Sequence, residues 1–188
     1  MIKIVSQGSN SVAAVQAHLD DISKGRHRSL ETEDGEPVQG RAATKRLIED
    51  WDLDLEELIA RQPYIAPMRR KPPKLVHKLI FAMPRDTPAD KLLMAVRRFA
   101  QEQFTYRHRY ALALHTDRPH PYVHVAVKAV SEECVRLNIR KSTLRNWRQA
   151  FASHLCALAV PAKATRQTGR SRTRKIRFRG MSRPLTRR

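Results

Sequence analysis

Acidic residues run out part-way along this chain. None occurs from Cys134 to the last residue, Arg188, whereas twelve of the eighteen lie at or before Glu57. Against 37 lysines and arginines this leaves a formal net charge of +19 and an isoelectric point near 11. Such a balance implies a polyanionic partner, nucleic acid before membrane. Cysteine is scarce as well. Cys134 and Cys156 are the only two, too few for a disulfide framework, which predicts a reducing, cytoplasmic setting. No run approaches the roughly eighteen apolar residues of a membrane span. The N-terminal MIKIVSQGSN lacks the apolar core of a secretory signal. Aromatics make up 6% of the chain, and Phe178 is the only one in residues 163–188. A row of stacking platforms for single-stranded bases is therefore not evident there. There is no internal repeat.

What is present concentrates in LHTDRPHPYVHV, residues 114–125. It holds His115, Asp117, His120 and His124. Residues 109–114 before it and 123–130 after it are rich in Val, Ala, Leu and Tyr without helical periodicity, and read as strands. Pro119 and Pro121 break the interval, so His115 should close one strand and His124 open the next. Alternation along an extended chain would put His120, Tyr122 and His124 on one face, with His115 reaching it from the neighbouring strand. Converging imidazoles suit a divalent metal. Their bland alternative, polar residues in a surface hairpin, is the weaker reading at this density. Asp117 reads almost equally as a turn residue and as a carboxylate that orients a histidine or takes a proton. His18 and His77 read as packing or solvent-facing histidines.

Taken in order, residues 2–6 form a short strand and residues 9–11 cap a helix reaching about residue 24. Residues 30–40 form a hairpin turning at Asp34-Gly35. Two short helices cover 42–50 and 54–61, and residues 63–73 are a basic, proline-rich connector. Residues 75–83 are an apolar strand. A helix follows, capped by Asp86 or Thr87 with Pro88 in its first turn. After the histidine strands and a brief extended piece at 136–139, Ser142 caps a final helix. Its apolar face is Leu144, Trp147, Phe151, Leu155 and Leu158, and its other face is basic. The predicted class is α+β, a mostly antiparallel sheet of about five strands with helices packed on it. Residues 1–162 form one domain. Residues 163–188 form a basic tail, disordered when free, with eleven basic residues. DNA contacts are expected from Arg140, Lys141, Arg145 and Arg148 on the last helix and from Arg166, Arg170, Arg172 and Arg174 in the tail.

Residues 109–166, with the histidine block followed by RLNIRKSTLRNWR, resemble the nuclease domain of plasmid mobilisation relaxases, relatives of the T-DNA border endonuclease among the histidine-hydrophobe-histidine endonucleases. KIVSQGSNSVAAVQAHLDDIS, LETEDGEPVQG and VHKLIFAMP resemble that family's N-terminal segments in order. The resemblance implies a Mg²⁺ or Mn²⁺ site held by histidines; in this chain His115 and His124 are the expected ligands, with His120 or Tyr122 as the third. It also implies a tyrosine that attacks a phosphodiester at a transfer origin and stays joined to the 5′ phosphate. Two positions depart from the pattern. Where the family reads like HLDYI this chain has HLDDI, so Asp21 stands at the nucleophile position. Where it reads like HPHVH this chain has HPYVH, so Tyr122 replaces a ligand, and could itself be a substitute nucleophile. The partner expected is single-stranded or origin DNA, alongside accessory mobilisation proteins. With both departures, little covalent adduct is expected. The competing function is a DNA-binding module or repressor that holds the origin uncut, or a hydrolase that uses water.

Overall fold

The structure is a computed structural model, and it describes residues 3–4, 7–23, 29–39, 41–60 and 72–163. The chain runs β1 (Lys3–Ile4), β2 (Gln7–Ser9), α1 (Val12–Ile22), β3 (Leu30–Thr32), β4 (Pro37–Val38), α2 (Arg41–Asp50), α3 (Leu53–Ala60), β5 (Val76–Ala82), α4 (Ala89–Phe104), β6 (Tyr110–His115), β7 (Tyr122–Lys128) and α5 (Lys141–Ala157). The strands form one antiparallel sheet in the order β1-β5-β7-β6-β3-β4, with β2 also on β5. The sheet has seven strands, against the expectation of about five. The strand expected at 2–6 appears as β1, and a further strand, β2, forms across Gly8, past the expected end of that strand; both pair with β5. The hairpin at 30–40 forms, with Gly35 at φ 79°, and joins the main sheet through Glu31↔Leu112.

Alternation along β5, β6 and β7 divides the sheet into two faces. Leu79, Phe81, Tyr110, Leu112, Val123, Val125 and Val127 point to one face, where Phe99 and Phe104 of α4 and Trp147, Phe151 and Leu155 of α5 close the larger core. Each fully buried side chain of this kind contributes about 1.5–3 kcal/mol relative to exposure. On the other face Val76, Ala111, Ala113 and Ala126 pack against Val15, Leu19 and Ile22 of α1 and Leu47, Ile48 and Trp51 of the helical insert. The small alanines here leave room for α1 to lie close to the sheet.

Three predicted helix and strand ends are corrected. Pro88 itself occupies the N-terminal cap of α4, without a side-chain cap bond. The cap falls there because residues 85–87 form a turn closed by the Thr87 N–H on the Pro84 carbonyl (3.1 Å). Helix α5 begins at Lys141 after Arg140, whose N–H donates to Thr143 Oγ1 (3.3 Å), so Ser142 lies inside the helix. β7 opens at Tyr122, so His124 is its third residue. Pairing with His115 across the ladder makes Tyr122 the first residue in register. The connector at 63–71 and the tail from 164 onward, with Arg166, Arg170, Arg172 and Arg174, lie outside the described residues. Cys134 and Cys156 are free and exposed.

Candidate active site on the sheet face beneath helix α1

The histidines gather where β6 and β7 meet the underside of α1. Register places His115 opposite Tyr122 and Ala113 opposite His124. The His115 and Tyr122 rings stack with centroids 4.8 Å apart and planes 16° from parallel. His124 lies 4.9 Å from the His115 ring and 5.4 Å from the Tyr122 ring. A further imidazole comes from α1: His18 meets His124 edge to face at 5.7 Å. The helix that carries it is firmly held. Ser11 caps its start, Glu57 of α3 accepts the Val12 N–H at 2.7 Å, and the Thr44 hydroxyl of α2 donates to Asp20 at 2.7 Å. The insert of two short helices therefore fixes the height of α1 above the sheet.

Burial sets the electrostatics. His18 is lowered from 6.5 to about 4, first by burial and then by the charges of Lys78 and His124. His124 is lowered too, again chiefly by burial, with Asp21 and Asp117 opposing the shift. Both imidazoles are thus neutral at pH 7. His18 Nε2 and His124 Nδ1 are buried with no hydrogen-bond partner among the described residues. Tyr122 donates its hydroxyl to Asp117 Oδ1 (3.2 Å), and the Arg118 guanidinium lies 5.7 Å from the centre of the Tyr122 ring. Asp117 also stands 3.9 Å from His115 Nδ1. Asp21, exposed on α1, acts electrostatically on His18, His124 and Lys78.

The predicted site residues are only partly brought together. His115, His124, Tyr122 and Asp117 converge, and Asp21 overlooks them. His120 does not join. It sits exposed in the turn at 117–120, off the strand expected to carry it to the shared face, with no ring contact or hydrogen bond to a described residue. The turn exists because Pro119 and Pro121 cannot donate to a ladder. Arg140, Lys141 and Arg145 are exposed on or beside α5, which packs on the opposite face of the sheet from the histidines. Sequence reasoning misses two residues. It reads His18 as a packing or solvent-facing histidine and not as part of the site, although the spacing from Val15 and Ile22 places His18 on the buried face of α1. Lys78 shares a sheet face with His124 by strand alternation.

A family model described as "Relaxase: MobA/VirD2-like, nuclease domain" matches residues 31–157. The chain belongs to this relaxase family. The match covers β6, β7 and every residue of the histidine block. Helix α1, with His18 and Asp21, precedes it, so the reading of Asp21 as the nucleophile position rests on the sequence resemblance. A solved structure titled "Molecular Basis of Vancomycin Resistance Transfer in Staphylococcus aureus" is similar in fold, with TM-score 0.57 and 11% identity over 88% of this chain and 99% of that one. No curated protein matches. Relaxases of this family act in plasmid mobilisation, bind DNA at transfer origins and are in general metal-dependent. Among the described residues no helix is long and apolar enough to cross a membrane.

The donor set of this relaxase does not fit the three-histidine metal site that the resemblance implies. Tyr122 fills one position, with its hydroxyl turned to Asp117, and His120 is elsewhere. Among the described residues no three His, Cys, Asp or Glu side chains are grouped so as to hold an ion.

Proposed function

We propose that this relaxase nicks and rejoins one strand of origin DNA, with Tyr122 as the attacking group and Asp117 as the base that takes its proton. The observation that carries the reading is the Tyr122 hydroxyl on the Asp117 carboxylate at 3.2 Å, on a ring held flat against buried His115. A phenol with its ordinary pKa near 10 is a poor nucleophile until a base removes the proton. Asp21 is the weaker candidate, since carboxylate attack yields an acyl phosphate too labile to preserve the strand for rejoining.

In the forward step the phenolic oxygen bonds to phosphorus as its proton passes to Asp117. The bond from phosphorus to the 3′ oxygen breaks, and that oxygen takes a proton from water. The product is a 5′-phosphotyrosyl strand and a free 3′ hydroxyl, and the reverse attack by that hydroxyl reseals the DNA. Neutral His124, beside the Tyr122 ring, and His18, which meets His124, can donate or accept hydrogen bonds as charge develops. The exposed Arg140, Lys141 and Arg145, half-buried Arg148, and the tail arginines supply sequence-independent backbone attraction.

The test incubates the full chain with labelled oligonucleotides bearing a transfer origin, in Mg²⁺, in Mn²⁺ and in EDTA, and resolves covalent adducts on a denaturing gel. An adduct is expected from the parent, with none from Tyr122→Phe. Asp117→Asn should slow adduct formation by about 10²–10⁴-fold, the usual contribution of a general base. DNA that shifts in a native gel yet never forms an adduct in any condition would replace this reading with that of a binding module.

A further inference from the structure

Phosphoryl transfer needs positive charge at the scissile phosphate, and in metal-dependent enzymes a cation supplies it. With the three-imidazole set incomplete among the described residues, a cationic side chain of the chain itself can supply that charge. Among the described residues, few charged groups act on the histidine cluster. His18 feels Lys78 and Asp21, and His124 feels Asp21, Lys78, Arg118 and Asp117. Of the two cations, Arg118 belongs to the exposed outer turn and lies over the Tyr122 ring. Lys78 is the inner one. It lies in β5, paired with Ala126, two residues from Ile80, which pairs with His124. Lys78 and His124 are thus diagonal neighbours on the same sheet face, about 7–8 Å apart at the backbone and within reach of a lysine side chain. From helix α1, His18 meets His124 edge to face. Lys78 is partly buried, and Asp21 is the anion that acts on it.

We propose that Lys78 is a phosphate-binding residue of this site, its ammonium gripping a non-bridging oxygen of a DNA phosphodiester beside His18 and His124 without a divalent ion. The inference deepens the reading of this site as a strand-nicking centre and rests on it. Asp21 has a definite part in it: its carboxylate partly offsets Lys78 in the free protein, and an arriving phosphate competes with it. The position where the family pattern expects a nucleophile then sets how strongly phosphate is held. A partly desolvated ammonium on a phosphate oxygen is a charge-assisted hydrogen bond, whose removal weakens binding by roughly ten- to a hundredfold.

The experiment uses the full chain in EDTA and a thymidine dinucleotide with a single phosphodiester, a probe too short to engage the basic surface. Binding is followed by the imidazole ¹H–¹⁵N resonances of His18 and His124. Both should shift and saturate in the parent. Lys78→Met should weaken the titration at least tenfold, Lys78→Arg should retain it, and Asp21→Asn should tighten it. Equal affinity in the parent and Lys78→Met overturns the proposal. So does a titration that appears only with added Mn²⁺, or no titration in the parent. Lys78→Arg guards against misfolding, since loss in both variants with an unfolded spectrum moves the decision to Asp21→Asn, where unchanged affinity overturns it. The adduct assay separates the two readings: parental adduct levels in Lys78→Met sink Lys78 alone, while Lys78-dependent titration without any adduct sinks the nicking reading alone.

Discussion

Acid should weaken this fold through His77, and the size of the effect follows from its surroundings. His77 lies in β5 on the α4–α5 side of the sheet and is 6% exposed. Its Nε2 lies 3.2 Å from the Leu137 carbonyl, so that nitrogen carries the proton and donates. Its Nδ1 is buried without a hydrogen-bond partner among the described residues. Protonation would therefore place a charge where nothing accepts its hydrogen, near Lys74, Arg136 and His108. Burial first, and those charges after it, lower the pKa from 6.5 to about 4, against the Leu137 bond. Because the folded value lies below the unfolded one, the stabilisation is complete above about pH 6.5. It is lost as pH falls through the folded value near 4. At pH 4.5 that loss amounts to about 2–3 kcal/mol. His77→Gln keeps a donor for Leu137 and cannot titrate. Urea unfolding at pH 7 and pH 4.5, followed by tryptophan fluorescence from Trp51 and Trp147, should show the parent losing about 2 kcal/mol more than the variant. With an ordinary urea dependence that is a midpoint difference of about 1 M. Parallel pH dependences in the two proteins would refute the argument.

Deleting residues 163–188 removes eleven basic residues and should flatten the dependence of DNA affinity on salt, by about 0.7–0.9 of a logarithmic unit for each phosphate that the tail neutralises; an unchanged slope means the tail touches no phosphate. The double change Asp21→Tyr with Tyr122→His should yield an adduct through the α1 position that needs divalent metal, whereas Tyr122→His alone should yield none. An adduct from that single variant, mapped by peptide sequencing to another tyrosine, would remove Tyr122 from the chemistry. Phe99→Ala empties the centre of the larger core, where Phe99 touches the rings of Phe81, Phe104, Trp147 and Phe151. It should cost about 3–5 kcal/mol in denaturant unfolding, and a loss under 1 kcal/mol would mean that this cluster is loosely packed.

Local periodicity is enough to locate β5, β6, β7, α4 and α5, because each buries one face and the spacing of its apolar residues records which. The same alternation brings His115, Tyr122 and His124 together from spacing alone, and the charge balance points to the polyanion. Pairing partners are another matter. Nothing local in GlnGlySer at β2 or LeuGluThr at β3 specifies that they extend the sheet on β5 and on β6, since short strands carry too few side chains to encode a register. His120 leaves the cluster for a related reason: alternation holds only while the chain is a strand, and Pro119 and Pro121 end that condition. His18 and Lys78 become site residues only through tertiary structure. A helix pattern tells which side of α1 is buried, but the contact of α2 and α3 with α1, through Thr44 and Glu57, decides which patch of the sheet that side covers. That patch is the one where β5 presents a lysine and β7 a histidine.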